Sequence, residues 1–210
     1  TDRAGLARAV ERLAAEAGGA EVALLYYSGH GVQVDGVNYL IPVTAAVRYR
    51  QELPEQAVDL PAVLARLQAA RPGVGILVLD ACRDNPLPDR PADRVPLTRA
   101  LARNEGLARI PPATGLLVAY ATAPGQVAQD GPPGRNSPFA AALAHFLAEP
   151  GLEVGLLFRK VGERVRELTG GAQVPWTESA LTGAELYLNP PPAAPAAAAS
   201  PAERLNAALA

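Results

Sequence analysis

The sequence predicts an α/β fold in which helices cover both faces of a mostly parallel central sheet. Apolar runs typical of buried strands occupy residues 22–28, 75–80 and 115–122, and they alternate with segments of helical periodicity. The run at 75–80 shows no polar alternation, as expected of a strand that is covered on both faces. With 210 residues, 49% of them hydrophobic, the chain is long enough for one sizeable domain.

Boundary signals accompany the helical segments. Thr1 or Asp2 is available to cap the first helix, and Ser137-Pro138 supplies a cap and a first-turn proline for a later one. Glycine or proline pairs follow most of these segments and end the helical pattern. The predicted helices cover residues 1–16, 60–67, 138–147 and 157–168.

The remaining segments are predicted to be short strands, turns and loops. Residues 32–41 read as a hairpin around a turn at Asp35-Gly36, and residues 184–188 are a candidate for a last short strand. Residues 86–112 carry six prolines and five arginines with little apolar periodicity, which predicts a long exposed loop.

The end of the chain changes in composition. Residues 190–201 contain only proline, alanine and one serine, which is typical of a semi-rigid linker. We therefore expect one domain over residues 1–189, a linker over 190–201, and the start of a further helix or fused region over 202–210. The chain starts at Thr1 without a methionine, and it is expected to be excised from something longer.

Composition bears on the expected partners and on the location of the chain. The formal net charge is −2 and no basic stripe is present, so nucleic acid is not an expected partner. No apolar run reaches the length of a membrane span, and membrane binding is not expected. A single cysteine cannot form an intrachain disulfide, which favours a reducing, cytoplasmic location.

One histidine and the single cysteine follow two predicted strands. His30 lies between Gly29 and Gly31 after the first strand, and Cys82 follows the strand at 75–80. Ligands of parallel sheets bind beyond the carboxyl ends of the strands, so neighbouring strands would bring the imidazole and the thiol to one rim. An imidazole can take the thiol proton and later protonate a leaving amine. The N–H groups of Gly31 and Cys82 could then form an oxyanion hole.

The motifs around these two residues resemble a known family. The sequence YYSGHG is followed by NYLIP, and DACRDNP comes about 50 residues after the histidine, the separation that caspases show. The resemblance continues in LLVAYATAPGQVAQDG and NSPFAAAL and covers residues 22–188. The chain is similar to the caspase-like cysteine peptidases of family C14, in particular the bacterial metacaspase-like or orthocaspase branch.

The resemblance implies a caspase-haemoglobinase-like α/β/α sandwich with His30 and Cys82 as a catalytic dyad. It also implies a cysteine endopeptidase with protein or peptide substrates and a role in bacterial regulation, cell death or defence. Domains of this family begin with an additional strand and helix that are expected to be missing from this chain. The resemblance also implies a third acidic pocket residue on that additional strand.

Two aspartates are predicted to form the pocket for the substrate residue before the cut. Side chains on a strand alternate with period two, so Asp80 and Cys82 project to the same side. A carboxylate beside the nucleophile is a receptor for a cationic side chain, which predicts cleavage after arginine or lysine. In the resemblance, Asp130 corresponds to a second acidic position of the pocket. An ordinary role remains open for each: Asp80 could cap or brace the loop through Arg83, and Asp130 could be a solvated aspartate in a turn.

The arginine-rich loop is predicted to be a cleavage site. Exposed loops are where proteolytic nicks concentrate, and the resemblance places the linker between the large and small segments of caspases here. Cleavage by the enzyme itself or by an upstream protease would release a loop that limits access to Cys82. The candidate sites are Arg90, Arg94, Arg99, Arg103 and Arg109.

Other readings remain open. The domain could be a caspase-like scaffold with an unused crevice that acts through a fused regulatory partner, a separase-like peptidase, or a flavodoxin-like ligand-binding domain without peptidase activity. No phosphate-binding glycine motif is present, which weakens the last. No cofactor or metal is expected. Calcium dependence is common in metacaspases, but no acidic cluster of the required spacing is seen.

Overall fold

The computed structural model describes residues 1–81, 107, 109–110, 113–123 and 126–192. In these residues the helices are α1 (Arg3–Glu16), α2 (Leu53–Gln56), α3 (Leu60–Ala70), α4 (Pro138–Leu147) and α5 (Val154–Leu168). A 3₁₀ helix covers Arg50–Glu52. The strands are β1 (Val22–Val34), β2 (Val37–Ile41), β3 (Val58–Asp59), β4 (Val74–Ala81), β5 (Leu116–Tyr120) and β6 (Trp176–Ser179).

The strands form one six-stranded mixed sheet in the order β3-β2-β1-β4-β5-β6. Its centre is parallel, because β4 pairs in parallel with β1 on one side and with β5 on the other. The outer pairings are antiparallel, since β2 returns along β1, β3 along β2, and β6 along β5. The predicted α/β class with a parallel centre is confirmed, and the antiparallel strands lie at the two edges.

The central strand β4 supplies side chains to two cores. Ile76 and Val78 pack with residues of α4 and α5, whereas Leu77 and Leu79 pack with residues of α1 and α3. All four are at most 1% exposed. Successive side chains of a strand point to opposite faces, so a strand with helices on both faces must be apolar at every position. This explains the unbroken apolar run in the sequence.

The helix boundaries follow the predicted caps. The carboxylate of Asp2 accepts a 2.6 Å hydrogen bond from the Gly5 N–H at the start of α1. Ser137 caps α4 by accepting a 2.9 Å bond from the Ala140 N–H, and Pro138 is the first residue of that helix. Caps of this kind stabilise a helix by about 1 kcal/mol each.

The strand assignment from sequence is wrong at two places. β1 does not end near residue 28, because it runs without interruption into the predicted hairpin and reaches Val34. The predicted strand at 184–188 is not a ladder strand, since it makes only an isolated bridge between Glu153 and Tyr187. The last strand of the described chain is β6 instead. Its sequence, WTES, has no apolar run because three of its four residues are exposed.

The first half of β1 has one open edge. Residues 22–29 pair with β4 on one side, and β2 begins to pair on the other side only at His30. In the described part of the chain no strand covers this edge, and Leu24 and Tyr26 are 38% and 40% exposed. The additional strand expected from the family pattern stays a prediction. Residues 193–201 of the predicted linker lie outside the described residues, and so does the whole terminal region predicted at 202–210.

Candidate active site

His30 lies where β1 changes its pairing partner. Gly29 is the last residue of β1 that pairs with β4, and His30 is the first that pairs with β2. The His30 carbonyl accepts a 2.8 Å hydrogen bond from the hydroxyl of Tyr27, which also lies 3.0 Å from the Ile41 carbonyl. Burial raises the pKa of Tyr27 to about 12, so this hydroxyl stays protonated. It therefore binds the carbonyls of β1 and β2 at the point where β1 changes its pairing partner. The His30 side chain itself is exposed.

The two glycines beside His30 are explained by close contacts. A β-carbon at Gly29 would lie 2.8 Å from the Tyr27 hydroxyl oxygen, closer than real contacts allow. At Gly31 a β-carbon would lie 3.2 Å from a methyl group of Leu107 and 3.4 Å from the β-carbon of Ala81. A side chain at Gly29 would therefore clash, and one at Gly31 would require Leu107 to shift by a few tenths of an ångström. Ser28 and His30 are the residues with side chains that this stretch contributes to the cavity lining.

Asp80 is a buried carboxyl group close to His30. It lies near the end of β4, pairs in register with Ser28, and is only 6% exposed. Its Oδ2 accepts hydrogen bonds from the hydroxyl of Tyr26 at 2.9 Å and from Oγ of Ser137 at 2.6 Å. Burial raises the pKa of Asp80, while these two hydrogen bonds oppose the rise and the nearby charge of Asp130 adds to it.

A cavity of about 130 Å³ brings three predicted site residues together. Its lining includes His30 from β1, Asp80 from β4, and Asp130 from the segment before α4, with Ser137 at the start of that helix. The backbone beside Asp130 is fixed because the Gln129 N–H donates a 2.9 Å hydrogen bond to the buried side chain of Gln173. Residues far apart in sequence thus converge on one rim of the sheet.

The predicted nucleophile, Cys82, lies outside the described residues. Its neighbour in sequence, Ala81, is the last residue of β4 and pairs with Gly29. β4 therefore ends beside the Gly29–His30 step of β1. The pairing of the imidazole with a thiol, and the oxyanion role predicted for Gly31 and Cys82, stay predictions.

Comparison with known families agrees with this arrangement. The model of the caspase domain, peptidase family C14, matches residues 1–187. The chain belongs to the caspase-domain family. The resemblance seen in the sequence is confirmed at the level of the family, which is a family of cysteine peptidases. A search of curated proteins finds no match.

The arginine-rich loop of the caspase domain is described only near its end. Leu107 is 1% exposed and packs in the same core as Leu79 and Ala81, so the prediction of an exposed loop is wrong at this residue. Of the predicted cleavage sites, Arg90, Arg94, Arg99 and Arg103 lie outside the described residues.

Arg109, the remaining candidate, is tied to the edge strand of the caspase domain. Its Nε lies 2.7 Å from Oε1 of Glu178, and its Nη2 donates a 2.8 Å bond to Oε2 of the same carboxylate. Glu178 is 7% exposed and raises the pKa of Arg109 through these hydrogen bonds and its charge. The next residue, Ile110, donates its N–H to the Tyr120 hydroxyl at 3.2 Å.

Sequence reasoning missed the hydroxyl groups that bind Asp80. Ser137 was identified only as a helix cap, and Tyr26 only as part of a motif. The sequence could have pointed to Tyr26, because it lies two residues before Ser28 on β1 and Ser28 is opposite Asp80 in the parallel register. No comparable signal exists for Ser137, because it lies on no strand of the sheet and meets Asp80 only through the packing of α4.

Over the described residues, no group of three or more His, Cys, Asp or Glu side chains is placed to hold a metal ion. No helix in the described ranges has the length and apolar character required to cross a membrane.

Proposed function

We propose that this caspase domain is a cysteine endopeptidase that uses His30 and Cys82 and cleaves after arginine or lysine. One observation carries the proposal: the buried carboxyl group of Asp80 faces the same cavity as His30. No Arg or Lys of the described chain forms an ion pair with Asp80. A buried carboxylate without a cationic partner costs folding free energy, and a substrate cation would supply that partner.

The proposed chemistry needs only side chains and water. The imidazole of His30 takes the proton of the Cys82 thiol, and the thiolate attacks the scissile carbonyl carbon to form a C–S bond. As the tetrahedral intermediate collapses, the C–N bond breaks and the imidazolium protonates the leaving amine. Water, deprotonated by the same imidazole, then attacks the thioester carbon; the C–S bond breaks, the carboxylic acid leaves, and the imidazolium returns its proton to the thiolate.

The strand register supports the oxyanion role proposed for Gly31. The two-residue turn at Asp35-Gly36 makes Val34 and Val37 a hydrogen-bonded pair, and hydrogen-bonded pairs alternate along an antiparallel ladder. Gly31 and Leu40 then form a pair without mutual hydrogen bonds. The Gly31 N–H is thereby directed away from β2, to the side on which β4 ends before Cys82.

The size of the cavity disfavours a small-molecule site. Pockets for small-molecule ligands usually enclose about 300–1,000 Å³. The cavity beside His30 encloses about 130 Å³, which suits the end of one side chain. This favours recognition of a single substrate residue over the alternative of a flavodoxin-like ligand-binding domain.

A panel of fluorogenic peptides that differ only in the residue before the cut tests the proposal. We expect hydrolysis of the arginyl and lysyl peptides, and no hydrolysis of the aspartyl or neutral ones. Hydrolysis of none of the peptides by the intact chain would contradict the peptidase assignment. A preference for the aspartyl peptide would contradict the assigned roles of Asp80 and Asp130.

The same specificity predicts self-cleavage in the segment 86–112. After incubation of the purified chain, we expect new termini after one or more of Arg90, Arg94, Arg99 and Arg103. Cleavage after Arg109 should be slower, because its guanidinium must first leave the buried carboxylate of Glu178. Intact mass measurement with the Cys82→Ala variant as control decides this. If the wild type hydrolyses peptides but stays uncut, the self-cleavage prediction is wrong.

A further inference from the structure

Two hydroxyl groups from different elements hold one oxygen of Asp80. The hydroxyl of Tyr26, on β1, donates to Oδ2 at 2.9 Å, and Oγ of Ser137, at the start of α4, donates to the same atom at 2.6 Å. Tyr26 lies beside β4 in the sheet, whereas Ser137 reaches β4 from the helical layer. The carboxyl group is therefore restrained from two directions.

The orientation of the Ser137 hydroxyl follows from its second bond. Its oxygen accepts the Ala140 N–H at 2.9 Å as the cap of α4, so its single proton is free to be donated to Asp80. The helix is anchored next to this point by Phe139, which is 1% exposed in the core. Ser137 thus connects a rigid helix start to the carboxylate.

The two donors leave the other carboxylate oxygen available. Each oxygen of an ionised carboxylate has two lone pairs, and both hydroxyl groups bind Oδ2. No described residue donates a hydrogen bond to Oδ1 of Asp80. The carboxyl group also lines the cavity that contains His30. A cation that enters this cavity can therefore bind Oδ1 without displacing a protein donor.

We propose that Ser137 and Tyr26 are positioning residues for substrate recognition, which bind Oδ2 of Asp80 so that Oδ1 is presented, ionised, to the substrate cation. The inference rests on the proposed function, because it assumes that a basic substrate side chain enters the cavity. It assigns to these two residues a role in specificity beyond capping a helix and forming part of a strand.

The ionisation of Asp80 depends on these donors and on the groups that face it. Tyr26 and His30 face it from β1, Ser137 from the start of α4, and Asp130 from the segment before that helix. Burial and the charge of Asp130 raise the pKa of Asp80, and the two hydroxyl donors lower it. Removing a donor raises that pKa further. Since only the ionised form binds a cation, activity should then be lost at a higher pH as the solution is acidified.

The pH profile of kcat/KM for an arginyl peptide tests the proposal in Ser137→Ala and Tyr26→Phe. Each variant should lower kcat/KM on the acid side by about tenfold, the effect of one lost hydrogen bond to a charged group, mainly through a higher KM. Ser137→Thr keeps the hydroxyl that donates to Asp80 and accepts from the Ala140 N–H, and this variant should show the wild-type profile. Asp59→Ala removes a cap of the same kind from α3, far from the cavity, and should leave the profile unchanged.

A titration of the Asp80 carboxyl group by NMR gives a readout that does not require activity. In the Cys82→Ala background, adding Ser137→Ala or Tyr26→Phe should move this titration to higher pH. Unchanged titrations and unchanged pH profiles in both variants would overturn the positioning role, even for an active peptidase. If the intact chain hydrolyses no peptide but the titrations move as expected, the proposed function fails while the effect of the two donors on Asp80 stands.

Discussion

Replacing Cys82 with alanine should leave no measurable hydrolysis of an arginyl peptide, and replacing His30 with alanine should lower kcat by about 10²–10⁴-fold. Without the thiol no acyl-enzyme can form. Without the imidazole the thiol stays protonated at neutral pH and the leaving amine receives no proton. Steady-state kinetics on purified variants measure both effects.

The second histidine of the chain provides a matched control. His145 lies on α4 with its ring 4.9 Å from that of Phe146, and it is not part of the cavity lining. His145→Ala should therefore keep the wild-type kcat. Both histidine variants should unfold at about the same denaturant concentration as the wild type, because the His30 side chain is exposed. Substantial turnover by Cys82→Ala would contradict the assigned nucleophile.

Local signals in the sequence predicted those parts of the fold that depend on local physics. The cap at Ser137, the turn at Asp35-Gly36 and the apolar strand β4 each follow from a few adjacent residues, and the structure has all three. β6 was missed because its stability comes from backbone pairing with β5 rather than from its own apolar side chains. Edge strands with exposed side chains carry little periodic signal.

The candidate site was predictable to the extent that the pairing of neighbouring parallel strands determines it. Alternation along β4 and the register with β1 place Asp80 and His30 at the same rim. The partners of Asp80 depend on how α4 packs against the sheet, which no spacing in the sequence reveals. The same holds for Leu107. Its side chain is buried against Gly31 of β1, because the glycine has no side chain there, and no local pattern around Leu107 reveals this contact.

Replacing Asp80 with asparagine should lower kcat/KM for arginyl peptides by about ten- to a hundredfold, the effect of losing a charge-assisted bond. The same change should increase the free energy of unfolding at neutral pH. Burial raises the pKa of Asp80 in the folded state, so its contribution to stability is present below the ordinary carboxyl pKa and is lost as the pH rises through the raised value. Peptide kinetics and urea denaturation measure the two effects.

Glu178→Gln is the matched control for Asp80→Asn, because Glu178 is also buried in the sheet, at 7% exposed, but is paired with Arg109 and does not line the cavity. Neutralising Glu178 removes an ion pair and should lower the free energy of unfolding, while the preference for arginine before the cut persists.

The increase in the free energy of unfolding caused by Asp80→Asn should shrink on acidification, because Asp80 of the wild type becomes protonated. Equal hydrolysis of arginyl peptides by Asp80→Asn and the wild type would mean that the substrate cation binds elsewhere, since an amide cannot replace the carboxylate as its counter-charge.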